Sequence, residues 1–223
     1  QSFFPHRGWK DLFKKHSSSL MELEIFKTDY GKLNLVRSYV ESAYNKNYNG
    51  WSNEFDRKFD DQAVCFVICN RKKIVATSKL VFNKDSSNKF LSIYHAHYSN
   101  IKISDYKIVC EGTGLWYKKR DFLDPLWHAM FRWLDHFTDG IVLSLFDKKN
   151  VNIAKGNIEL LKFVPIKGAE IAFQDVTDKE GKLVIWTPAL QAKDSRKQAI
   201  LNFQSFNLLK EYHLKIEPPA FII

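Results

Sequence analysis

Cysteine is scarce in this chain: three residues in 223, an odd number and too few for a disulfide framework. Cys65 and Cys69 stand four apart in an apolar run, unlike the CxxC pairs of structural zinc sites. Together with Cys110 they read as buried, reduced thiols, as expected of a cytoplasmic protein. Long hydrophobic runs are missing too. No stretch approaches the ~20 continuous apolar residues of a membrane span. No signal-peptide h-region stands at the start, and the first residue is Gln1, so a trimmed or fragmentary N-terminus is expected. Internal repeats, low-complexity linkers and breaks in composition are absent. Residues 1–223 therefore read as one domain, long enough for one substantial core.

What the chain does have is aromatic bulk. Hydrophobic residues make up 45% and aromatic residues 15%, with 18 Phe and 6 Trp. That excludes general disorder and suggests an interior or a pocket built from large flat side chains. The net charge is +9 and the pI about 9.3, which invites an acidic partner: nucleic acid or an acidic carrier protein. The cations are dispersed, as in Lys14-Lys15, Arg71-Lys72-Lys73, Lys118-Lys119-Arg120 and Lys148-Lys149. With no long basic tail and no nucleic-acid motif, most of them read as solvated faces, and nucleic acid is the weaker candidate.

One segment organises the rest. Residues 106–137 contain IVCEGTGLWYKKRDFLDPLWHAMFRWLDHF from Ile108 on: a buried strand, a basic turn and a strongly apolar helix. Glu111, Gly112, Thr113 and Gly114 interrupt the strand between apolar flanks. A carboxylate and two glycines there are costly unless the backbone bends or something approaches it closely. Asp124 suits an N-cap and Pro125 a first helical position. Leu126, Met130, Trp133 and Phe137 then recur at helical spacing, and Trp127, Phe131 and Leu134 add a second apolar face. A strand feeding a helix N-terminus through a polar turn presents backbone N–H groups to an anion or a carbonyl oxygen.

Around it the pattern predicts an irregular stretch over 1–30 with a strand at 21–26, a helix over 32–46 and a long polar loop over 45–61. A hairpin of strands 62–70 and 73–82 follows, then a strand at 90–98. After the pivotal strand and helix come a buried strand at 141–146, a helix at 152–163, strands at 171–176 and 183–187, and an amphipathic helix at 196–214. The expected class is a mixed α/β sheet with a strand–helix–strand unit at its centre.

This order, with those residues, resembles the GNAT-like acyltransferase fold, and within it the acyl-homoserine-lactone synthases (autoinducer synthases) and the N-acyl amino acid synthases. The resemblance runs from about Arg37 to Ile166. Arg37, Trp51 and Glu54-Phe55-Asp56 with Asp60-Asp61 stand where the family has a first-helix arginine, a tryptophan and an acidic stretch. Lys79 stands for an arginine of the second following strand, and Glu111 for the glutamate opening the strand before the pivotal helix. Leu160–Phe163 is similar to the Leu-Gly-Phe that closes the family's core. The resemblance implies a mixed central sheet splayed between its two central parallel strands and flanked by helices. It also implies an N-acyltransferase moving a fatty acyl group from a thioester to the amine of an amino acid or similar small molecule. Gly114 replaces the arginine common three residues after the glutamate, and residues 118–124 hold no glycine, where acyl-CoA members carry a glycine-rich loop. The implied donor is therefore the phosphopantetheine arm of acyl carrier protein, or else CoA, with no permanently bound cofactor. An acyl-CoA-dependent acetyltransferase and a non-catalytic basic binding domain are the alternatives.

Amide formation from a thioester needs a free amine, a polarised carbonyl and room for the acyl chain. Glu111 is the expected base, directly or through water, with Asp60 and Asp61 as alternatives or as ammonium ligands. Backbone N–H groups around Leu115, Trp116 and Tyr117 are expected to face the oxyanion, at ~3 kcal/mol per good donor. The acyl or substrate pocket is assigned to Trp51, Phe55, Arg37, Lys79, Trp127 and Phe131. Lys118, Lys119 and Arg120 are assigned to the acidic carrier. His95 and His97 alternate on one strand face without a third ligand in view, so no metal site is expected. Thr113 and the serines lack a nucleophile elbow, so no covalent intermediate is expected.

Overall fold

The computed structural model describes residues 21–26, 30–52, 57, 59–82, 108–150, 154–203 and 209–211. The expected strand at 90–98, with His95 and His97, and the position of Phe55 lie outside these. The sheet starts from a local device. β3 (Ala63–Asn70) and β4 (Lys73–Phe82) are joined by Arg71 and Lys72 alone, both at positive φ, +50° and +63°. Two left-handed residues twist a two-residue hairpin to match its strands. β1 (Met21–Phe26) pairs antiparallel with β3, and β4 with β5 (Ile108–Tyr117). β5 runs parallel to β6 (Ile141–Asp147), which pairs antiparallel with β9 (Leu183–Gln191).

Helices cover both faces. α1 (Tyr30–Asn47) lays Leu33, Val36 and Val40 on Cys65, Val67 and Cys69. α2 (Leu123–Phe137) lays Leu126, Met130, Phe131 and Leu134 on the opposite face, against Val64, Phe66 and Ile68. The alternation of β3 thus sends one residue set to each helix. The three cysteines are buried and none forms a disulfide, as the sequence indicates. No helix among the described residues is long and apolar enough to cross a membrane.

Several elements differ from the sequence expectation. α2 begins at Leu123, so Asp124 lies inside its first turn and no side chain caps it. Pro125 is still within the turn whose N–H groups lack intrahelical acceptors, so it is tolerated. The expected loop at 45–61 contains β2 (Tyr48–Asn49), paired with Asp178 and Thr177 of β8 (Ile171–Asp178). Gly50 (φ +75°) follows at a close approach, where a Cβ would stand 1.8 Å from the Asp175 carbonyl oxygen. Within the expected helix at 152–163 the described residues are helical from 154, π-helical over Gly156–Leu160, and then lead to β7 (Val164–Pro165) on β9. Of the expected helix at 196–214 the described residues show α3 (Lys193–Asn202), and β10 (Leu209–Glu211) instead pairs parallel with β1. The unpaired edge of β1 offers ladder hydrogen bonds that outweigh continued helix.

Lys162 is left-handed (φ +58°) just beyond the π-helical turn, a conformation that costs an L-residue ~1–2 kcal/mol. Lys162→Gly removes that strain at a smaller entropic cost, and a gain of about 0.5–1 kcal/mol is expected, or about 1–4 °C in Tm. Thermal denaturation checks it, and a lowered midpoint contradicts it.

Candidate active site

The site is made where two neighbouring strands part. β5 and β6 pair from Ile108 with Ile141 as far as Gly112 with Ser144. Beyond that register β5 continues on β4, up to Tyr117 with Ala76, while β6 continues on β9, up to Asp147 with Trp186. The outer neighbours hold the two strands and the gap between them opens. Backbone groups along a strand address its two neighbours alternately, so those of residues 113–117 that would meet β6 face the gap.

A bulge in β5 accompanies the parting. Thr77 pairs with Trp116 and Lys79 with Thr113, so β5 spends one residue more than β4 there. Gly114 in that interval has φ +60°, and an added Cβ would meet only Lys79 Cβ at 3.6 Å. The backbone angle therefore sets the need for glycine, and space does not. The Ser78 hydroxyl donates to the Thr113 carbonyl across the bulge at 3.3 Å.

The gap is the waist of a cavity of about 410 Å³. Leu115, Trp116, Tyr117, Trp127 and Phe131, all marked from the sequence, line it. On the α2 side its wall is apolar, with Trp127, Met130, Phe131, Leu161 and Phe163. On the α1 side it is mixed, with Tyr44, Lys46, Tyr48 and Asp147. Trp116 stacks on Tyr39 at 4.5 Å between ring centroids. Trp51 stacks on Tyr44 at 4.4 Å, so it supports a wall residue and does not itself line the cavity.

None of the expected polar residues Arg37, Asp60, Asp61, Lys79 and Glu111 lines the cavity, and Arg37 and Lys79, assigned to the pocket from the sequence, are instead engaged with Asp60. Arg37 of α1 pairs with Asp60 Oδ2, and Lys79 Nζ lies 3.3 Å from Asp60 Oδ1. Lys79 is 4% exposed, and this pairing offsets the cost of burying its charge. With each oxygen facing a cation, Asp60 is placed as an anchor of the turn Asp60–Gln62 on the sheet. Asp61 is exposed on that turn. Glu111 is 6% exposed and sits between Val81 and Leu143 in the sheet. It shares the α1-side face with Val81 and Leu143 and directly precedes Gly112, a cavity residue.

At the end of β5, Lys118, Lys119 and Arg120 are exposed, as a docking role requires. The Arg120 guanidinium lies 5.7 Å from the Trp127 ring centroid, and its Nε is 3.6 Å from Asp124 Oδ1. Burial pushes the Asp124 carboxyl up from its ordinary value, with Arg120 opposing. An acid whose folded pKa is raised is disfavoured once ionised, so the penalty is absent below the unfolded value and grows as pH rises through the folded one. Asp124→Asn is accordingly expected to raise Tm at pH 7 and to leave it unchanged below about pH 4. Equal midpoints across that range contradict this.

Sequence reasoning missed Tyr44, Tyr48, Ser144, Asp147, Asn150 and Asn157, which also line the cavity. The available signal was positional: Asp147 ends the strand after the pivotal helix, and ligands of α/β sheets gather at the carboxyl ends of parallel strands. Tyr48 lay in a stretch that reads as loop.

A sheet splayed between two central parallel strands, with a bulge in the first and helices on both faces, defines the GNAT-like acyltransferase fold, and this chain has it. FeeM, an N-acyl amino acid synthase from uncultured soil microbes, superposes with TM-score 0.61 at 15% identity, covering 85% of this chain and 100% of that one. BjaI, a CoA-dependent acyl-homoserine lactone synthase solved with SAM and isopentyl-CoA, gives 0.54 at 10% identity, covering 92% and 97%. An N-acetyltransferase from Staphylococcus aureus Mu50 gives 0.52 at 10% identity, covering 77% and 98%. No protein-family model matches the sequence, and no curated protein matches it.

Proposed function

We propose that the chain is an N-acyltransferase that moves a fatty acyl group from an acyl thioester to the amine of an amino acid or similar small molecule. The observation that carries this reading is the parting of β5 and β6 after Gly112 and Ser144 into a cavity with one apolar wall. A thioester arm fits between the strands, with its acyl chain against Trp127, Met130 and Phe131. The amine nitrogen attacks the carbonyl carbon, the C–N bond forms and the C–S bond breaks. One ammonium proton passes to Glu111, directly or through water, and the second proton that the nitrogen sheds goes to the departing thiolate. Backbone N–H groups of residues 115–117 stabilise the oxyanion, an effect of ~3 kcal/mol per well-placed donor.

The donor we favour is acyl carrier protein, which places the reaction in the cytoplasm. The turn Arg120–Phe122 leads directly into α2, and Asp121 and Asp124 sit at that helix start. Carboxylates there complement the helix dipole themselves and repel a pyrophosphate. Lys118, Lys119 and Arg120 offer rim charges to an acidic carrier.

The test is to offer palmitoyl-carrier protein and acetyl-CoA separately, each with a mixture of amino acids, and to follow free thiol. Release from the carrier is the expected result. Release from CoA alone overturns the donor, and release from neither overturns the acyl-transfer reading. Salt-dependent DNA retention without thiol release points instead to a basic binding domain.

A further inference from the structure

Among the described residues lining the cavity there is one carboxylate, Asp147, and it stands on the α1 side at the end of β6. Its Oδ2 accepts the Tyr48 hydroxyl proton at 3.1 Å, and its Oδ1 accepts the Lys149 backbone N–H at 2.9 Å. Two ionised oxygens offer about four acceptor positions, so these bonds leave room for further donors. Tyr48 is 7% exposed and packed among Tyr44, Leu145 and Trp186, which fixes the direction of its hydroxyl. Having donated its proton, that hydroxyl can only accept from a ligand. The two lysines after Asp147 turn their ammonium groups elsewhere, Lys148 to Glu170 and Lys149 to Asp178. Lys46 is the single cation lining the cavity among the described residues.

A carboxylate and a phenol oxygen aimed together as acceptors into an aromatic-walled space suit a compact cation with several N–H donors. We infer that Asp147 and Tyr48 form the subsite that holds the ammonium group of the acceptor, so that the acceptor is a primary amine bound in its cationic form from the α1 side. This rests on the acyl-transfer reading of the same cavity. Asp147 binds the incoming amine and Tyr48 positions the carboxylate. Asp147 also closes the turn after β6 through Lys149, a bond that an asparagine oxygen reproduces. Asp147→Asn therefore removes the charge and keeps the turn.

The probe is benzylamine, cationic at pH 7 and aromatic, compared with benzyl alcohol, its neutral analogue, by isothermal titration of the full chain. Wild type is expected to bind the amine and to bind the alcohol at least tenfold more weakly. Asp147→Asn should weaken the amine at least tenfold and leave the alcohol unchanged. Tyr48→Phe should weaken the amine about threefold, through loss of the carboxylate's orientation and of the phenol acceptor. In turnover with palmitoyl-carrier protein, Asp147→Asn should raise KM for the amine and change kcat little. No binding of benzylamine to wild type, or equal affinity in wild type and both variants, overturns the inference. Thiol-release failure in wild type with amine binding intact sinks the acyl-transfer reading and not this subsite. Circular dichroism of each variant separates a folding defect from lost recognition, and Tyr48→Phe serves as the independent measure where Asp147→Asn does not fold.

Discussion

Glu111→Gln is expected to lower turnover between about 100-fold and 10,000-fold, the range for loss of a positioned general base. The change keeps the size and hydrogen-bonding shape of the side chain, so the fold between Val81 and Leu143 is expected to persist. Its effect falls on kcat, because the amide has no proton-accepting carboxylate to offer in the transition state. Asp147→Asn acts on KM, so the two substitutions separate the roles of the two carboxylates. Steady-state thiol release checks this, with Tm measured beside it. Unchanged turnover in a folded Glu111→Gln variant removes Glu111 as base and leaves Asp147 as the carboxylate inside the cavity.

The second large effect concerns stability. Arg196 of α3 is fully buried, 0% exposed. Its Nη1 donates to the Gly140 carbonyl at 3.0 Å, its Nη2 to the Thr138 carbonyl at 2.7 Å, and its Nε lies 3.5 Å from Asp135 Oδ1. Burial lowers its pKa and Asp135 opposes that shift. The fork therefore ties α3 to the connection between α2 and β6, and so to the start of the strand that bounds the gap. Arg196→Ala leaves two carbonyls without their donor and the Asp135 carboxylate without its facing cation, and losses of this kind cost about 3–5 kcal/mol. At ~2–4 °C per kcal/mol for a chain of this size, Tm is expected to fall by ~6–20 °C. Arg196→Lys keeps the charge but not the fork, and should recover only part of the loss. A loss under ~1 kcal/mol in urea unfolding means that the clamp is dispensable.

What the sequence carried well was local. The apolar periodicity of residues 123–137, the interruption at Glu111–Gly114 and the strands of β3, β4 and β6 are set by residues within one or two turns of each other. They sufficed to place Leu115, Trp116, Tyr117, Trp127 and Phe131 on one site, and the resemblance built on them reached the right fold. Lys79 and Asp60 were also singled out, and the structure brings them together as an ion pair with Arg37. The misses are of another kind. Tyr48 reads as loop because its strand is two residues long and exists only through β8, which lies more than 120 residues further on. Residues 209–211 read as helix because nothing near them announces the open edge of β1.

The sequence by itself determined which segments are strands and helices at the centre, which faces they bury, and that the backbone must yield at Gly112–Gly114. The tertiary structure alone decided where β5 and β6 part, since that point depends on the competing hold of β4 and β9 on either side. It also decided that Asp147 and Tyr48 meet on one wall of the resulting space and that Arg196 clamps the paired start of β6. Periodicity and propensity are sums over neighbours in the chain, whereas a gap in a sheet is a balance between strands distant in sequence, and no local pattern encodes it.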